Sequence, residues 1–248
     1  MSFLLNREIR KVWGTDDEAG LLAAYEQVWA RKTILRRIYE AWYAEIGAAL
    51  QPGSVIEIGA GTGNFKRWLQ AQGRTCGTVD ILPGRFVDLQ ADALRLPFQS
   101  KTVDNIVLID ALHHFARPVA FLEEAARVLR PAGRLVMLEP YVSVWGYLVW
   151  KYLHHETVDF DFQESDDWKA AWAGNAAIPR LILAGPLPLR ISSVAYRDWL
   201  AYPACGGFSY RSLLPQVVLL GLQRLERCRL FRNRFLSLRV LAVLEKHP

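Results

Sequence analysis

Apolar positions recur at helical spacing through the first fifty residues and then change period. Leu21, Leu22, Tyr25, Val28 and Trp29, followed by Ile34, Leu35, Ile38, Trp42 and Ile46, recur near that spacing, and no proline interrupts residues 16–50. The pattern predicts a helical segment, started by Asp16 or Asp17 as a cap and broken at Pro52-Gly53. Beyond that break, short apolar runs read as strands at SVIEI (54–58), TCGTVD (75–80), FVDL (86–89), VDNIVLID (103–110) and RLVMLEP (134–140). Amphipathic helices are expected from the glycine-rich turn to about Gln72, and over 118–130 up to Pro131. Strands alternating with helices, and apolar almost throughout, predict a parallel sheet covered on both faces. Residues 141–188 lose the rhythm and read as an insertion over the sheet edge. LRISSVAY (189–196) and 236–245 return to strand, on either side of a basic amphipathic helix at about 212–230. We therefore expect a helical lid over 1–51, an α/β core over 52–140, a cap over 141–188 and a C-terminal part over 189–248.

Composition narrows the class. In 248 residues, 52% hydrophobic and 22% charged, there is material for one well-cored domain with a small cap. Nine Trp and nine Tyr exceed what such a sheet needs, and many lie outside the strands, which points to an aromatic-lined pocket or interface. No apolar run reaches the roughly 18 residues of a membrane span. The opening MSFLLNREIRKVWG has neither the apolar stretch nor the cleavage site of a secretory signal. Cys76, Cys205 and Cys228 are far apart and odd in number, so no disulfide framework or zinc pattern follows. A reducing cytoplasm is the expected compartment. The net charge of +5 is concentrated: from Tyr210 to Arg239 there are seven Arg and one acid, Glu226. Such a stretch can serve nucleic acid, anionic lipid or an acidic substrate, or be a solvated face.

The sharpest chemical signal is VIEIGAGTGNF, residues 55–65. A strand ends at Ile58, and Gly59, Gly61 and Gly63 follow at alternate positions before a helix. Glycines there allow a tight turn and a close approach of backbone N–H groups to a ligand. Such a turn alone could serve NAD or FAD. The spacing is G-x-G-x-G, however, and Glu57 stands two residues before the first glycine. A carboxylate there disfavours a pyrophosphate and suits a ligand carrying an ammonium and a sulfonium. That charge logic favours S-adenosylmethionine.

The stretch resembles motif I of class I S-adenosylmethionine-dependent methyltransferases, and further motifs follow in order through about residues 52–140. VDNIVLIDALHHF resembles the fourth-strand motif, and FLEEAARVLRPAGRLVMLEP the helix, turn and fifth strand of the branch that includes quinone-biosynthesis methyltransferases. The resemblance implies a Rossmann-like α/β sheet, mostly parallel with an antiparallel last strand. It implies that Glu57, Gly59, Ala60, Gly61 and Gly63 cradle the cofactor and that Asp80 accepts both ribose hydroxyls. Ile81, Asp92 and Ala93 would then meet the adenine, and Asp110 would flank the methionine end. One departure is visible: only Ile81 to Arg85 join the second predicted strand to the third, where the family places a helix.

Methyl transfer to oxygen or nitrogen often needs a base to remove a proton. His113 and His114 follow the fourth strand, where a parallel sheet opens on its ligand crevice, and one of the two is expected to face the pocket. His154 and His155, with Glu156 and Asp159, form a second candidate group in the cap; no metal motif is matched, so no metal is expected. The chain has no Asn-Pro-Pro-Tyr after strand four and no Pro-Cys nucleophile, which argues against two classes of DNA methyltransferase. In the helix at 212–230, Leu214, Val217, Val218, Leu222 and Leu225 share a face expected to cover the sheet, with peripheral membrane contact as the alternative. We expect methyl transfer to oxygen or nitrogen of a small or lipid-linked acceptor. The rivals are a nucleic-acid methyltransferase, raised by the pI near 9.2, and a non-catalytic cofactor-binding partner protein. An NAD-dependent oxidoreductase stands further off.

Overall fold

Among the described residues the strands are β1 (Val55–Ile58), β2 (Gly77–Asp80), β3 (Leu89–Gln90), β4 (Val103–Ile109), β5 (Leu129–Pro140), β6 (Arg190–Arg197) and β7 (Arg239–Glu245). They form one seven-stranded sheet in the order β3-β2-β1-β4-β5-β7-β6. Strands β1 to β5 pair in parallel, and β7 runs antiparallel to both β5 and β6. The computed structural model describes residues 4–15, 17–153, 157–167 and 174–247. His154 and His155 lie outside the described residues, as does Asp16.

The strands sort their side chains with period two onto two cores. Val107 of β4, Val136 and Leu138 of β5, and Leu241 and Val243 of β7 face one core, where α2 (Glu18–Arg31), α3 (Thr33–Ala49) and α4 (Asn64–Ala71) pack. Ile106 and Leu108, Leu135 and Met137, and Ala242 and Leu244 face the other, covered by α5 (Pro118–Val128). Helix α6 (Val144–Leu153) builds a third, smaller cluster around Trp150, and α7 (Ile178–Ala184) packs Ile178 and Ile182 into the second core. The predicted cap thus supplies part of the sheet's own cover. Helices α8 (Ala201–Cys205) and α9 (Gln216–Leu225) return to the first core, adding to the short α1 (Arg7–Arg10) at the start of the chain. Strand order reverses between β1 and β4, so the crevice at their carboxyl ends is the natural ligand site.

Several expectations need adjustment. The N-terminal segment breaks at Lys32, whose backbone (φ −95°, ψ 79°) separates α2 from α3. Its ammonium donates to the Gly207 and Tyr210 carbonyls at 2.7 Å each, and burial lowers its pKa to about 8. Asp17 caps α2, accepting the Gly20 N–H at 2.8 Å. Helix α5 stops at Val128, and β5 begins at Leu129, five residues earlier than predicted. The third strand is Leu89–Gln90 rather than 86–89. The Asp88 carboxylate takes the Thr78 N–H at 2.9 Å, and Thr78 Oγ1 donates to the Phe86 carbonyl at 2.6 Å, so side chains use groups that a regular ladder would need. The link over 81–88 carries no helix, as the short spacing implied.

The basic helix is shorter than expected, Gln216–Leu225, and rotated. Leu219 is fully buried and Leu220 and Leu222 pack beside it, while Val217, Val218 and Leu225 face outward. Of the five residues expected to cover the sheet, only Leu222 packs against the core.

Candidate active site

The loop after β1 turns because its glycines adopt conformations that other residues rarely take. Gly59 has φ 71° and Gly61 φ 48°. A Cβ on Gly59 would lie 2.7 Å from the Ala111 Cβ, so the segment following β4 can approach only because no side chain is there. Gly63 also has positive φ, but it stands before α4 with Phe86 packed where its side chain would be, and it does not line the cleft.

Asp80, at the end of β2, braces this loop. Its Oδ2 accepts the Gly61 N–H at 2.8 Å and its Oδ1 the Leu82 N–H at 3.0 Å. Each oxygen keeps acceptor capacity for a further donor. Asp92 closes the adjoining turn by accepting the Leu94 N–H at 2.9 Å. Glu57, Gly59, Ala60, Gly61, Asp80, Ile81, Asp92, Ala93 and Asp110 all line a single cavity of about 1540 Å³, and so do His113 and His114.

Glu57 is the electrostatic anomaly of the cleft. It is 4% exposed, and its Oε2 has no hydrogen-bond partner among the described residues. Burial pushes its pKa up to about 8, against the lowering effect of the Lys66 backbone N–H; the charge of Asp80 raises it further. An orphaned buried carboxylate oxygen beside a glycine cradle fits a ligand that brings an ammonium. An ammonium favours the ionised carboxyl, so binding near pH 7 must expel the proton that Glu57 holds in the free protein. Calorimetric titration in buffers of different ionisation enthalpy should therefore show release of close to one proton per ligand, and Glu57→Gln should abolish that release.

At the other end of the cleft, Asp110 leaves β4 with φ 54°. Its carboxylate is ion-paired to the buried Arg239 of β7 and accepts the Tyr39 hydroxyl at 2.9 Å. The Arg239 guanidinium lies 4.5 Å from the Trp42 ring centroid and 4.4 Å from that of Tyr202. Burial raises the pKa of Tyr39 and Tyr202, so both remain phenols and cannot serve as bases near neutrality. Sequence reasoning did not anticipate Arg239 as part of this site.

Glu139 was also missed, although an acid inside the apolar run RLVMLEP was a visible signal. It is fully buried at the end of β5. Its Oε1 accepts the Ala111 and Leu112 N–H groups at 2.9 Å each, and its Oε2 lies 2.7 Å from His113 Nδ1. One carboxyl thus holds the whole turn after β4. A carboxylate accepts, so this contact orients the His113 ring through an Nδ1–H donor. Both histidines line the cavity, with ring centroids 4.1 Å apart, whereas one alone was expected to face it. Only His113 is fixed in this way by Glu139.

This sheet, with its glycine cradle and acid-ended β2, is the Rossmann-like fold of the class I methyltransferases, whose cofactor is S-adenosylmethionine. Residues 56–137 match the family model described as methyltransferase domain. The chain is 38% identical over 109 residues to a demethylmenaquinone methyltransferase of Mycobacterium sp. (strain JLS), covering 40% of this chain and 47% of that protein. It is 31% identical over 148 residues to the tRNA (carboxymethyluridine(34)-5-O)-methyltransferase ALKBH8 of Macaca fascicularis, covering 53% of this chain and 22% of that one. The chain spans about half the length, or less, of these relatives. Among solved structures, a SAM-dependent methyltransferase from Archaeoglobus fulgidus shares the fold at a TM-score of 0.53 and 14% identity, over 85% of this chain and 94% of that one.

Proposed function

We propose that the protein transfers the methyl group of S-adenosylmethionine to oxygen or nitrogen of a small, ring-bearing and largely apolar acceptor. The observation that carries this is the cavity. At about 1540 Å³ it exceeds the roughly 300–1,000 Å³ of an ordinary ligand site and has room for two occupants. Away from the glycine loop its wall is aromatic, with Tyr25, Tyr39, Phe115, Trp150, Tyr202 and Phe208. Such walls receive flat apolar rings, and the Arg239–Asp110–Tyr39 group gives that lining a polar anchor.

The bound cofactor would supply an electrophilic methyl at its sulfonium. The protein's own work is to hold and align the reactants. Gly59, Gly61 and Asp80 hold the cofactor, and Glu57 receives its ammonium. His113, with its Nδ1 hydrogen held by Glu139, takes the acceptor proton at Nε2 as general base. The aromatic walls exclude water from the reacting centre.

The test is transfer of labelled methyl from S-adenosylmethionine to a panel of phenols, quinols, amines and tRNA. Because one relative is named for demethylmenaquinone, acceptors of that kind come first. Label on oxygen or nitrogen of a ring acceptor supports the proposal, and label on a ring carbon would contradict its choice of acceptor atom. Labelling of tRNA alone would transfer the reading to nucleic acid, and cofactor binding without any transfer would favour a non-catalytic role.

A further inference from the structure

We infer that the outer face of α9 docks on an anionic membrane surface, with the apolar stripe of Val217, Val218 and Leu225 inserted and the neighbouring arginines on the lipid headgroups. The stripe has no task within the fold. Val217 is 75% exposed and Leu225 48%, and a Cβ built on Gly221 between them meets nothing within 4 Å. Leu219, fully buried on the opposite side, already joins the helix to the first core. Past the helix, Leu230 and Phe235 are also exposed, at 69% and 55%.

The charge is arranged to match. Glu226, the sole acid from Tyr210 to Arg239, is turned inward, accepting the Trp199, Leu200 and Ala201 N–H groups at 3.1, 2.5 and 2.7 Å. Arg232 and Arg239 are occupied with Glu45 and Asp110, whereas Arg211, Arg224, Arg227 and Arg234 are exposed. Apolar residues edged by exposed arginine form the pattern that binds at an anionic bilayer interface. A second copy is a poorer occupant, because an isologous pairing would set these arginines against their own kind. Among the described residues no helix is long and apolar enough to cross a membrane.

Leu213 lies just before α9, is 58% exposed and also lines the cavity, so the segment leading into α9 forms part of the cavity wall. This deepens the proposed function, since an acceptor held in the bilayer could enter there. The experiment reads docking without cofactor or acceptor, so its result is independent of methyl transfer.

The test is vesicle flotation with phosphatidylcholine alone and with added phosphatidylglycerol. The wild-type chain should float with the anionic vesicles and be released by salt. Arg224→Glu/Arg227→Glu should weaken binding by about thirtyfold or more, given the usual contribution of each basic residue near such a surface. Val217→Glu/Leu225→Glu should also lose binding. These positions are exposed, and unchanged circular dichroism and thermal unfolding confirm that each variant is folded. Wild-type protein that ignores anionic vesicles, or variants that bind as tightly, would overturn the inference. A dimer dissolved by Val217→Glu/Leu225→Glu, with no vesicle binding, would assign the face to a second copy and overturn it equally.

Discussion

Glu139→Gln is expected to leave the protein folded and able to bind cofactor while lowering methyl transfer by roughly 10²–10⁴-fold, the range for loss of a positioned base. The amide keeps an oxygen for the Ala111 and Leu112 N–H groups, which now share Oε1 at 2.9 Å. Its nitrogen, however, replaces the oxygen 2.7 Å from His113 Nδ1 and donates where that oxygen accepted. The imidazole hydrogen must then move to Nε2, and the base is lost without any cavity being made. Glu139→Ala differs in kind. It leaves two backbone donors and an imidazole without a buried acceptor, and should cost on the order of 3–5 kcal/mol of stability. A folded Glu139→Gln enzyme with normal turnover would remove His113 from the chemistry. The kcat–pH profile adds a readout that a merely structural role would not move: the limb belonging to the base should vanish in Glu139→Gln.

Asp80→Ala should weaken binding of S-adenosylhomocysteine by about a hundredfold or more, since two hydrogen bonds to a carboxylate are worth about 1.5–3 kcal/mol each. The side chain fixes the loop through the Gly61 and Leu82 N–H groups, and in the proposed site its remaining acceptor capacity would go to the ribose. Asp80→Asn, which keeps one acceptor oxygen, should fall between wild type and alanine. Calorimetry measures all three. Equal affinity in wild type and Asp80→Ala would mean that the cofactor does not lie against β2.

The parts of this account that were legible in the sequence are those written in short-range pattern. Ile106, Val107 and Leu108 are apolar because β4 is buried on both faces, and that run is visible without a structure. The glycine loop is equally local, since its conformations exclude most other residues. What was not legible depends on distant segments. Arg239 reaches Asp110 across 129 positions, and Glu139 reaches His113 across 26. Nothing local marks either partner beyond an ion-forming side chain within an apolar strand. The orientation of α9 failed for a related reason. Both of its sides are apolar, so periodicity alone could not tell the side that packs from the side that faces outward, and burial of Leu219 decided it. The third strand was misplaced because Asp88 and Thr78 compete with the backbone, a side-chain effect that periodicity does not register.

The central claim, that this cleft holds S-adenosylmethionine against the glycine loop, is tested most directly by calorimetric titration of the wild-type protein with S-adenosylmethionine and S-adenosylhomocysteine. The expected result is one-to-one, micromolar binding of both, with release of a proton near pH 7. A folded protein that binds neither ligand would contradict the account.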